Sequence, residues 1–146
     1  MSEEKKVGGY RDLMVWQKAI TLVKRVYQIT SSFPSDERFG LVAQMRRAGV
    51  SIPSNIAEGQ ARHTTGEFIH GISHAEGSLA ELDTQLTFAV DLGFCQPSDA
   101  RPSVAMIAEL QKMLASLRQK IAVRLVRLGA QNVHKTVKFC VHKIPA

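Results

Sequence analysis

The chain has 146 residues, 45% hydrophobic and 22% charged, which fits one folded domain with a real core and excludes an extended disordered polypeptide. Two cysteines exclude a disulfide-dense scaffold, and no apolar run approaches the roughly 20 residues that cross a bilayer. The formal net charge is +6, unevenly placed: residues 101–146 hold nine Lys and Arg against one acidic residue, and residues 1–100 hold ten against twelve.

Basic character confined to the last third points either to an acidic partner, with nucleic acid first, or to a solvated face that keeps the protein soluble. Cys95 and Cys140 read as small apolar fillers or idle thiols in a reducing compartment. The charged N-terminus MSEEKKVGGY has no apolar signal core, so a cytoplasmic location is expected, with no membrane partner.

In chain order, residues 1–9 read as a flexible leader broken at Gly8 and Gly9. Asp12 is a candidate N-cap for a first helix over about 12–31, whose seam is Leu13, Trp16, Ile20, Val23 and Tyr27, with Trp16 as a core anchor. A second helix over about 35–59 has Ser35 as its cap and Asp36 and Glu37 in its first turn. Leu41, Met45, Ala48, Ile52 and Ile56 recur on one of its faces. Pro53 falls inside that pattern, but the carbonyl its ring would press on belongs to Gly49, so the helix is expected to continue, with Gly59 as a left-handed cap. Arg47, Ser51, Asn55 and Glu58 form a polar stripe beside the apolar one.

After a loop at 60–63, Thr64 and Glu67 make a capping box for a third helix over about 65–92. Its seam is Phe68, Ile72, Ala75, Leu79, Leu82, Leu86 and Ala89, and a second stripe holds Glu67, His70, His74, Gly77, Ser78, Glu81 and Gln85. Small residues here (Gly71, Ser73, Gly77, Ser78, Ala80) imply that another helix comes close, and Gly93 stops the helix. A fourth helix over about 99–128 starts with Asp99 or Ser103 as cap and Pro102 early. It carries Val104, Ile107, Leu110, Leu114, Leu117, Ile121, Leu125 and Leu128 inward and ends at Gly129. Residues 130–146 show no clear period and read as an irregular basic tail. The expected fold is all-α: an antiparallel up-down-up-down four-helix bundle over 10–129.

The segments YRDLMVWQKA, FPSDERFGLVAQMRRAGVSIPSNIAEGQAR and EFIHGISHAEGSLAELDTQL resemble a family of four-helix-bundle proteins first noted in the intervening sequences of bacterial 23S rRNA. The accessory variability protein of diversity-generating retroelements is similar. The likeness is strong over Tyr10–Gly93 and weak over the fourth helix. It implies a protomer that assembles into a ring-like homopentamer, and, by the retroelement relative, a basic surface for RNA or DNA and a reverse transcriptase as protein partner. The residues that match the family's motif are Arg47, Ser51, Pro53, Asn55, Glu58 and Gly59 on the second helix, and Glu67, Gly77, Ser78 and Glu81 on the third. These form either a binding surface or a polar network between helices or subunits. In the network reading, a buried Arg47 needs a carboxylate such as Glu58 or Glu81.

Glu67, His70 and His74 share a helical face, but a carboxylate-bridged di-metal site needs a second Glu-x-x-His that the chain lacks. The i, i+4 pair of His70 and His74 alone suffices at most for one weakly held zinc ion, and surface or interface histidines are the commoner use, so no metal and no cofactor is expected. No nucleophile elbow, phosphate-cradling glycine loop or cysteine pair at zinc spacing is present, so no enzyme is expected. The candidate phosphate contacts are Arg118, Lys120, Arg124, Arg127, Lys135, Lys138 and Lys143, with Arg46 and Arg62 in addition. The competing expectation is an assembly or adaptor ring that docks a protein and leaves nucleic acid alone.

Overall fold

The structure, a computed structural model, describes the backbone of residues 8–141 and the side chains of residues 8–129. A single 3-10 turn, Tyr10–Asp12, precedes α1 (Met14–Thr30), and a second, Ser35–Glu37, precedes α2 (Leu41–Ala61). Two longer helices, α3 (Thr65–Asp91) and α4 (Pro97–Val141), follow, and the described residues contain no strand. Each helix packs on the next and α4 closes back on α1, with α2 and α3 sharing the most extensive contact.

The directions follow from which ends meet. Thr30 at the end of α1 accepts from Arg46 near the start of α2. Ser51 and Gly59 of α2 lie against Ser78 and Gly71 of α3, in opposite order along the two chains. Glu76 of α3 pairs with Arg118 of α4, and Lys18 of α1 with Glu109 of α4. The result is the expected antiparallel up-down-up-down bundle.

Its centre is aliphatic. Leu22, Met45, Ile52, Ile56, Ile72, Leu79, Leu82, Ile107, Leu110 and Leu114 are fully buried, each contributing about 1.5–3 kcal/mol by leaving water. Phe33 and Phe94, with ring centroids 5.8 Å apart, tie the α1–α2 turn to the α3–α4 turn at one end. Pro53 is buried within an unbroken α2.

Several local expectations are corrected. The buried stripe of α1 is Val15, Ala19, Leu22, Val26 and Thr30. The expected seam of Leu13, Trp16, Ile20, Val23 and Tyr27 lies beside it, half-buried, with Tyr27 exposed. Trp16 is half-buried and packs against the core from its edge rather than inside it. Its ring meets Tyr10 at 5.5 Å, and the Arg11 guanidinium lies 5.6 Å from it. Asp12 sits in the 3-10 turn, and the cap position of α1 is held by Leu13 without a side-chain bond.

Ser35 does not open α2. Residues 35–37 form their own turn, and α2 begins at Leu41, whose amide donates to Glu37 Oε2 at 3.0 Å. Glu37 thus supplies the cap by folding back over Gly40. Gly59 does not end α2 either: the helix runs on to Ala61, and Gly59 is buried inside it. The left-handed residue of this turn is His63, at φ 60°.

The Thr64 hydroxyl accepts from the Glu67 amide, as expected of a cap. At the far end of α3, Gly93 has φ 75°, the Phe94 amide reaches Ala89 O and the Gly93 amide reaches Val90 O. This is the paired hydrogen-bond pattern that a glycine beyond the last helical turn allows.

The largest correction concerns α4. It begins at Pro97, which suits the first helical position. Ser103 is buried rather than capping, and its hydroxyl has no hydrogen-bond partner among the described residues. Gly129 does not stop the helix, and the backbone stays helical to Val141. The expected irregular tail is thus helical over residues 130–141, while 142–146, with Lys143, lie outside the described residues. Val104, expected inward, is exposed, and the inward residues of α4 are covered from Ile107 to Ile121. Beyond it Val123, Leu125, Val126 and Leu128 are exposed, apolar side chains that belong to no core.

Candidate functional site

Two regions carry the residues singled out from the sequence. The first is a groove between α2 and α3. Gly59 and Gly71 have no side chains where the helices cross, and this lets the backbones touch: a Cβ on Gly71 would meet Gly59 Cα at 2.9 Å. Beside this crossing a cavity of about 350 Å³ is lined by Asn55, Glu58, Gly59, Arg62, Glu67, His70, Gly71 and His74. Arg62 pairs with Glu58 at 2.8 Å and reaches Glu67 at 4.0 Å. The Glu58 carboxylate, by hydrogen bond and then by charge, and Glu67 after it, hold the Arg62 guanidinium above its ordinary pKa. Asn55 donates to Ser51 O at 2.7 Å, and the Ser51 and Ser78 hydroxyls bond across the helices at 2.5 Å.

The rest of the polar stripes is open. Arg47 is exposed and forms no ion pair among the described residues, so neither Glu58 nor Glu81 is its partner. Gly77 is exposed, and a Cβ there would meet nothing within 4 Å among the described residues. Glu81 accepts from Gln85 of its own helix. Ser51 and Ser78 join the two helices, Asn55, Glu58 and Glu67 face the cavity, and Arg47, Gly77 and Glu81 point to solvent. Small residues thus serve close packing at Gly71 and Ser78 but not at Ser73, Gly77 or Ala80, which are exposed.

The second region is the basic surface, which the structure divides. Arg118 is held by Glu76 at 3.0 Å, and Arg62 by Glu58. Arg46 lies over the Tyr27 ring at 4.4 Å while donating to Thr30. These three are engaged within the bundle. Lys120, Arg124 and Arg127 are exposed and make no ion pair among the described residues. Their three- and four-residue spacing puts them on one face of α4. The continued helical backbone carries the same register to positions 135 and 138, both lysine. A helix ending at Gly129, as the sequence pattern implies, would not have produced this alignment.

Among the described residues no helix is long and apolar enough to cross a membrane, and no group of three or more His, Cys, Asp or Glu is placed to hold a metal ion. The family model for 23S rRNA-intervening sequence proteins matches residues 11–116. The chain belongs to the 23S rRNA-intervening sequence protein family. No curated protein matches it. Among solved structures it is similar to a protein with unknown function from the S23 ribosomal protein family of Bacteroides thetaiotaomicron. The two share 20% identity and a TM-score of 0.67, over 72% of this chain and 95% of the other. That likeness extends to the fold. The segment matched by the intervening-sequence family model takes in α1–α3, the α2–α3 groove and the first part of α4, and it stops at Ser116, before the basic face begins.

Proposed function

We propose that this member of the 23S rRNA-intervening sequence protein family is a non-enzymatic, oligomeric bundle that binds nucleic-acid backbone through the outer face of α4. The observation that supports this is the register of Lys120, Arg124 and Arg127, exposed and free of carboxylates among the described residues, on a helix that carries Lys135 and Lys138 in the same period. Cations in a row along a rigid rod neutralise successive phosphates without reading bases. Affinity then depends strongly on salt and weakly on sequence.

Assembly is supported by Val123, Leu125, Val126 and Leu128, which leave apolar surface exposed on α4 beyond Ile121, and by Phe39, which is 90% exposed. The family resemblance makes a homopentamer the expected state, and a ring would present several basic faces at once and raise a weak affinity through avidity. The test is a pair of measurements on the full chain: solution mass, and electrophoretic shift of mixed-sequence RNA and DNA. A mass of several protomers with a shift at low salt is expected. A monomer that shifts neither nucleic acid at about 50 mM salt contradicts the proposal.

The same exposed apolar residues favour a second reading, an adaptor that docks a protein. Charge reversal at Arg124 and Arg127 separates the two. It abolishes nucleic-acid binding in the first reading and leaves protein capture intact in the second.

A further inference from the structure

His70 and His74 stand one helical turn apart on α3, with their Nε2 atoms 2.9 Å from each other. Their rings meet edge to face, with centroids 4.4 Å apart and planes at 75°. Both face the cavity between α2 and α3, alongside Asn55, Glu58, Arg62 and Glu67. We propose that this pair is a two-imidazole clamp for a borderline divalent transition-metal ion of the Zn²⁺, Ni²⁺ and Cu²⁺ class.

The argument is geometric first. Two imidazole nitrogens on one tetrahedral ion, each at about 2.0–2.1 Å, lie about 3.3 Å apart. The pair meets that spacing by opening a few tenths of an ångström, a movement within reach of two exposed side chains. The clamp is built within the second and third turns of α3, so the ion orders no loop on binding, and little conformational entropy is lost. Chemistry selects the ion. Neutral imidazole suits Zn²⁺, Ni²⁺ and Cu²⁺, whereas Mg²⁺ and Ca²⁺ seek oxygen ligands. Because no third His, Cys, Asp or Glu among the described residues closes around the pair, the remaining coordination positions are left to water or to a group from a second molecule. The site is therefore open and of modest affinity.

Isothermal titration of the untagged full chain with ZnCl₂, NiCl₂, CuCl₂ and MgCl₂ tests this. One ion per chain is expected, Cu²⁺ held tightest, Ni²⁺ and Zn²⁺ next, and Mg²⁺ not at all. His70→Asn and His74→Asn should each weaken binding at least about tenfold, since even the loss of an outer-shell partner has that effect. His134 and His142 are kept in every variant. In parallel, Zn²⁺ should raise the Tm of the wild type and not that of the double variant, because an ion held only by the folded form stabilises it. No heat with Zn²⁺, Ni²⁺ or Cu²⁺ overturns the proposal. So does binding that persists unchanged in the double variant, which would place the ion elsewhere.

Discussion

Gly71 and Gly59 meet backbone to backbone: a Cβ on Gly71 would lie 2.9 Å from Gly59 Cα and 2.5 Å from the carbonyl oxygen of Asn55. Neither of those atoms belongs to a side chain that could turn away. Gly71→Ala should therefore destabilise the protein by about 1–3 kcal/mol through overpacking, although alanine by itself favours helix by about 1 kcal/mol. Gly77→Ala, on the same helix but facing open space, should stabilise by about 0.5–1 kcal/mol. Urea unfolding of the two variants reads both signs in one experiment.

Gly93 ends α3 at φ 75°. Its position is fixed by the hydrogen bonds from Gly93 and Phe94 back to Val90 and Ala89, so the chain cannot relax to another conformation without losing them. Gly93→Ala should cost about 1–2 kcal/mol, the penalty for placing an L side chain in the left-handed region, read as a lower denaturation midpoint. Gly93→Asn should recover part of the loss.

Glu76 and Arg118 join α3 to α4 from positions that water still reaches. An ion pair of this kind is worth about 0–1 kcal/mol, so Glu76→Gln should leave unfolding almost unchanged. Arg118→Gln should do the same, and it should also leave nucleic-acid affinity close to wild type, because that guanidinium already has a carboxylate. Anisotropy titrations of Arg118→Gln beside Arg124→Gln would show the difference, with only the second weakening binding.

Cys95 is half-buried near Asp99. Burial first, and the carboxylate second, push its thiol above the ordinary range. In a Cys140→Ser background, alkylation of Cys95 at neutral pH should be slower than that of a free thiol, because the thiolate is the reactive form. The same shift acts on stability. The fold favours the protonated thiol, so this contribution is complete below the unfolded thiol's pKa and is lost as pH rises through the raised folded value. Denaturation midpoints should show a small alkaline loss that Cys95→Ala removes.

The bundle was legible because its inner residues keep helical period without interruption: Ile72, Ala75, Leu79, Leu82, Leu86 and Ala89 are all buried as their spacing predicts. In α1 two apolar stripes run side by side. The larger side chains, Trp16 and Tyr27, mark one stripe, while the packed interior took the other, with Ala19 and Leu22, where the neighbouring helices come close. Glycine misled twice for one reason. Gly59 and Gly129 resemble terminators in sequence, yet a helix can carry a glycine at about 1 kcal/mol when packing or good neighbours compensate. At Gly59 the missing Cβ is what lets α3 approach. The division of the basic residues depends on pairings across long separations, such as Arg118 with Glu76 and Arg46 with Thr30, which no local pattern announces. The polar stripes were visible, but whether their members met partners or solvent was decided by how α2 and α3 are rotated against each other.

The salt dependence of nucleic-acid binding, measured for the wild type and for a Lys120→Gln, Arg124→Gln, Arg127→Gln variant, tests the central claim most directly. If these three side chains neutralise phosphates, the wild-type plot of log affinity against log salt should be steep. The variant's slope should then be shallower by about 2–3, at roughly 0.7–0.9 for each phosphate no longer neutralised. Equal slopes for the two proteins, with binding otherwise intact, would contradict the account and place the nucleic acid on another surface.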